Sequence, residues 1–167
     1  TVEDYKEIRG VGEVKAIQLA CIGELSARIW KAAASEKNII FDAPSKVAAF
    51  YMEEMRHLEQ ENLSLLLLNT KDILRRDITV SRGTVNASCA TPREIYIEAL
   101  RFRACGIILL HNHPSGDPTP SRVDSLFTDR VREAGSLMGV PLLDHIIIGD
   151  QKYCSFREEG IWEECTG

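Results

Sequence analysis

Fourteen residues, HNHPSGDPTPSRVD at 111–124, place two imidazoles, two carboxylates and three prolines directly behind the apolar run GIILL at 106–110. A strand-to-helix loop needs little more than one glycine and one capping residue, so this surplus of polar groups calls for a chemical reason. Side chains two apart on a strand share a face, so a strand ending here aims His111 and His113 at one point. That suits a metal ion. Hydrolytic zinc sites commonly use three nitrogen or oxygen ligands and leave a fourth position for water, which makes Asp124, near the start of the next helix, the candidate third ligand. Pro114, Pro118 and Pro120 stiffen the intervening loop, and Gly116 gives it room to turn. A plainer reading exists: Ser121-x-x-Asp124 is close to a capping box, and paired loop histidines can be surface residues. Ser121 can cap and catalyse at once, and the combination of spacings favours the metal.

Such a site needs a strand to hold the histidines and a helix to carry Asp124. The run 106–110 reads as a short buried strand and 121–138 as a helix. Segments 62–70 and 73–81 read as two earlier strands, and 141–149 and 152–156 as two later ones. Thr91-Pro92-Arg93-Glu94 opens a helix reaching Phe102, with threonine as cap and glutamate three residues on, so Arg93 and Glu94 are helix-start residues. Strands interleaved with helices indicate an α/β sheet in two or three layers. Asp144 and His145 lie on an apolar strand and are expected to form a structural, hydrogen-bonded pair, with a contact behind the metal site as the intermediate case.

Asp42 and Pro44 mark a new helix start for the stretch up to Glu61, after a break in pattern at 38–41. This divides the chain into a helical segment, 1–41, and an α/β domain, 42–167. In the first, Val14, Ile17, Cys21, Leu25 and Ile29 recur at helical spacing after a Gly10-Val11-Gly12 turn, with the end of a preceding helix at 5–9.

The 167 residues suffice for a real core, and the net charge is −5. Residues 1–41 hold six Lys/Arg and six Asp/Glu, so a polyanion would have to be held by local groups. The cysteines, Cys21, Cys89, Cys105, Cys154 and Cys165, are never spaced C-x-x-C and read as core thiols in a reducing, cytoplasmic compartment. No run approaches the roughly 18 apolar residues of a membrane span, and the opening at Thr1 implies a natural start upstream.

The spacing His111-x-His113, seven residues, Ser121-x-x-Asp124 resembles the JAMM (MPN-plus) metalloprotease motif. With LLDHIIIGD and TPREIYIEAL, the stretch HNHPSGDPTPSRVD resembles the RadC family over roughly residues 42–160. The resemblance implies a JAMM/MPN-type, cytidine-deaminase-like sheet flanked by helices and preceded by a small α-helical segment. It further implies Zn2+ held by His111, His113 and Asp124, with Glu61 as general base, Ser121 as oxyanion donor, and a peptide or isopeptide bond as substrate. Without it, Glu61 would read as a solvated helix-end charge like Glu59. Asn112 departs from the wider JAMM pattern, where serine or threonine separates the histidines, and this bears on the substrate more than on the metal. An HNH nuclease spreads its three residues over a ββα unit, and a zinc deaminase needs H-x-E and P-C-x-x-C, so both are set aside. The alternative is a DNA-associated repair factor. IRGVGEVKAIQLA resembles a helix-hairpin-helix, in which Gly10, Gly12 and Lys15 would make weak DNA contact.

Overall fold

The computed structural model describes residues 1–36, 39–83 and 90–161. They fall into two compact units, Thr1–Ile39 and Ile40–Gly167. In the first, helix α1 (Val2–Lys6) is capped by the Thr1 side chain, which accepts the Asp4 N–H, and α2 spans Glu13–Glu36. Between them Gly10 adopts φ +89°, a left-handed turn that costs glycine little. Val14, Ile17, Leu25 and Ile29 are helical as their spacing requires, and they are exposed.

The second unit is built on five strands, β1 (Asn62–Leu68), β2 (Leu74–Arg82), β3 (Gly106–Asn112), β4 (Leu142–Ile148) and β5 (Tyr153–Ser155), in the order β2-β1-β3-β4-β5. Strand β3 is central, antiparallel to β1 and parallel to β4. All of its residues are buried, which is why it reads as a continuous apolar run rather than an alternating one. Helices α4 (Pro92–Arg101) and α5 (Arg122–Met138) cover one face, where Leu63, Leu65, Leu67, Ile107 and Leu109 meet Ile95, Tyr96, Phe127 and Val131. Helix α3 (Pro44–Met55) buries Val47, Ala48, Tyr51 and Met55 and packs against β4. The sheet residues of the opposite parity, such as Leu66, Ile108 and Leu110, are buried as well, giving a helix–sheet–helix sandwich.

Two details of this frame set up the site. The parallel pair β3–β4 is joined through α5, so the start of α5 lies at the carboxyl end of β3, where open α/β sheets bind ligands. A bulge near Leu143 moves the register of β4, pairing Ile107 with Leu142 but Ile108 with Asp144. His145 thereby comes opposite Leu109 and turns toward α5.

Three expectations need correction. Helix α3 stops at Met55, so Glu61 is not at a helix end; residues 56–61 run irregularly into β1. Strand β3 continues past Leu110 to Asn112, which puts His111 within the sheet. The described cysteines are not core thiols: Cys21, on α2, and Cys105, in the turn before β3, are exposed, and Cys154, on the short edge strand β5, is half-buried. All three are free, and Cys89 and Cys165 lie outside the described residues.

The loop between β3 and α5 is seated on Gly149. A Cβ there would collide with the Gly116 carbonyl oxygen and come within 2.8 Å of Pro118 Cδ. Gly149→Ala is therefore expected to lower stability by about 1–3 kcal/mol through overpacking. Gly12→Ala, where a Cβ meets nothing within 4 Å, supplies the control, and equal melting temperatures would contradict the seating described.

Candidate metal centre

His111 occupies the penultimate position of β3 and is 1 % exposed, while His113, just beyond the strand, is half-buried. The backbone N–H of His113 still donates to the Ile148 carbonyl at 2.9 Å, so the strand geometry carries both rings to one side. Asp124 is 5 % exposed in the first turn of α5. It completes a capping box: its Oδ2 accepts the Ser121 N–H at 2.7 Å, and Ser121 Oγ accepts the Asp124 N–H at 3.2 Å. The plainer reading of S-x-x-D is thus correct as far as it goes, and the same carboxylate also faces the histidines.

The three side chains form a compact donor set. His111 Nε2 and His113 Nε2 are 3.0 Å apart, Asp124 Oδ1 lies 3.5 Å from the first, and Asp124 Oδ2 lies 3.6 Å from the second. Ligands about 2.0–2.1 Å from a tetrahedral ion stand about 3.3 Å apart, so these separations match such an ion. His113 Nδ1 donates to the Asp117 carbonyl at 2.8 Å, which leaves the Nε2 lone pair of the neutral ring pointing inward. Two ring nitrogens this close beside a carboxylate need a proton or a cation among them. The donor set is therefore one that could hold a metal ion.

Electrostatics agree. Burial pushes the His111 pKa down to about 4. The Asp124 carboxylate raises that of His113 above its ordinary 6.5, with further contributions from the Asp117 carbonyl and the charge of Glu61. Burial works against the charge of Asp124, yet the neighbouring His113, His111 and Ser121 together hold its pKa below the usual carboxylate range.

Glu61 is half-buried immediately before β1, close enough for its charge to act on His113. What fixes its backbone is Asn112, whose side chain leaves the opposite face of β3. Asn112 Oδ1 accepts the Asn62 N–H at 2.8 Å, and its Nδ2 donates to the Gln60 carbonyl at 3.1 Å and the Leu58 carbonyl at 3.4 Å. Residues 58–62 take these bonds instead of continuing α3. The Glu61 carbonyl also accepts the Gly83 N–H at 2.8 Å. Ser121 is exposed beside Asp124; its oxygen accepts in the capping bond, so the hydroxyl hydrogen is available to another acceptor.

The Asp144–His145 pair is split by the sheet. Asp144 accepts from Ser155 Oγ and from the His145 and Arg157 N–H groups, and burial raises its pKa to about 6. The His145 ring turns the other way and lies 2.8 Å from His111 Nδ1. Thr128, which bonds His145, carries a signal the sequence reading passed over: it follows Asp124 by four residues and so shares its helix face.

A mixed α/β domain with a central-strand His-x-His and a helix-start aspartate is of the JAB/MPN type. The chain belongs to the RadC-like JAB domain family, whose match covers residues 41–161. It is 45 % identical over 161 residues to a UPF0758 protein of Desulforamulus reducens, covering 96 % of this chain and 70 % of the relative. It is 48 % identical over 160 residues to the UPF0758 protein BH3032 of Halalkalibacterium halodurans, covering 96 % and 68 %.

Metal binding requires neutral imidazoles, so protons compete for the site. As pH falls, His113 with its raised pKa charges first, while His111, near 4, remains neutral. Zn2+ affinity is expected to be level above the His113 pKa and to fall about tenfold per pH unit below it, down to about pH 5. Competition with a chromophoric chelator measures this, and a two-proton slope would contradict it. Asn112→Leu tests the clamp: each buried group it orphans costs about 1–3 kcal/mol, so melting should drop markedly. Zn2+ affinity of the folded variant should stay near wild type, because His111 and His113 leave the other face.

Proposed function

We propose that this domain is a zinc-dependent hydrolase of amide bonds, acting on a peptide or isopeptide. The observation that carries the reading is the triangle of His111 Nε2, His113 Nε2 and the Asp124 carboxylate, with edges of 3.0–3.6 Å, beside the charge of Glu61. His111, His113 and Asp124 would hold the ion; when bound, zinc lowers the pKa of water towards about 7 and polarises a carbonyl.

The chain's own groups supply the rest. Glu61 takes the proton of the attacking water and delivers it to the departing amine, which leaves as a neutral product. Ser121 Oγ–H donates to the oxygen that becomes negative as the carbonyl carbon turns tetrahedral. The Asp117 carbonyl orients the His113 ring through Nδ1, and the Asn112 clamp holds the backbone on either side of Glu61.

Glu61→Gln preserves size and removes the proton acceptor. Screened against a peptide and isopeptide library beside the wild type, it is expected to bind Zn2+ normally and to turn over about 10²–10⁴-fold more slowly. Ser121→Ala should cost about 10²–10³-fold, with about 1 kcal/mol of lost capping checked by melting. Wild-type turnover by Glu61→Gln would remove the assigned base, and a folded, zinc-loaded wild type that cleaves nothing would remove the hydrolase reading.

A further inference from the structure

Behind the donor triangle lies a buried polar chain. The Thr128 hydroxyl is 2.6 Å from the Asp124 carbonyl oxygen and 2.5 Å from His145 Nδ1, and His145 Nε2 is 2.8 Å from His111 Nδ1. Thr128 is fully buried, and His145 and His111 are each 1 % exposed, so protein groups rather than bulk water satisfy them. The His145 ring is also held flat against Phe156, with centroids 4.9 Å apart and planes 15° from parallel.

We propose that Thr128 and His145 are positioning residues that fix the tautomer of His111, so that its Nε2 lone pair faces the metal. The inference rests on the metal-centre reading above and deepens it. A hydroxyl has one hydrogen, and the Asp124 carbonyl can only accept, so the Thr128 hydrogen is committed there. His145 Nδ1 must then donate to Thr128 Oγ. A neutral imidazole has a single N–H, so His145 Nε2 is an acceptor and His111 Nδ1 must donate to it. The one remaining nitrogen of His111, Nε2, keeps its lone pair and faces His113 and Asp124. The isolated side chain in water prefers the opposite tautomer, with the hydrogen on Nε2, which would point an N–H at the cation. The relay begins at the backbone of Asp124 and returns to its carboxylate, so one ligand sets the protonation pattern of another.

The test reads the tautomer directly. The chain has four histidines, so in histidine-15N-labelled, metal-free protein near neutral pH, two-bond proton–nitrogen correlations assign every ring. The expected result is a hydrogen on Nδ1 in both His111 and His145. Thr128→Val should shift His111 toward the Nε2–H form and weaken binding of Zn2+ alone by about 10- to 100-fold, and Thr128→Ser should restore both. A role in packing alone would lower the melting temperature of Thr128→Val and leave tautomer and affinity unchanged, which would overturn the proposal. So would a wild-type His111 carrying its hydrogen on Nε2. The wild-type spectrum needs neither a folded variant nor metal, so it decides the relay even if Thr128→Val does not fold. A wild type that takes up no Zn2+ would instead defeat the metal reading, a distinct result.

Discussion

The end of β3 is where an apolar strand, buried on both faces, has to accommodate polar groups, and the rest of the unit is arranged around that demand. Desolvation opposes charge there and pushes the His111 pKa down. The surrounding strands answer with partners instead of water. His111 meets His145 from β4, His113 meets the loop carbonyl of Asp117, and Asn112 meets the backbone of 58–62. The apolar pairs farther down the strand, such as Leu65 with Leu109 and Leu67 with Ile107, give the strand the stability that lets its end carry this polarity.

The donor triangle was legible because it depends on local rules. Residues two apart on a strand share a face, and the residue three past a serine cap lies in the first turn of a helix. His111, His113 and Asp124 need only these two rules and the assumption that the strand end and helix start are neighbours. The α4 start was legible for the same reason, and its Thr91–Glu94 capping box forms as written. The sheet's class followed from the interleaving of strands and helices.

What local pattern leaves open depends on contacts distant along the chain. The position of His145 is decided by a bulge in a parallel pairing, and no local pattern announces where a parallel register slips. The end of α3 at Met55 has a comparable cause: the sequence up to Glu61 has helical composition, but Asn112, fifty residues away, takes the backbone groups that a longer helix would use. By local pattern alone Glu61 therefore reads as a solvated charge, and only the family resemblance singles it out. Residue type alone does not place a cysteine: the absence of a neighbouring base is no sign of burial, and Cys105 falls in an exposed turn.

The clamp by Asn112 has a dynamic consequence. Because one strand end presents the imidazoles on one side and grips the Glu61 segment on the other, a shift of that strand carries both along together. Sheet breathing thus becomes a common-mode displacement, in which the spacing between carboxylate and imidazoles changes less than either moves. Geometry at the centre is protected by shared attachment, without requiring the sheet itself to be stiff.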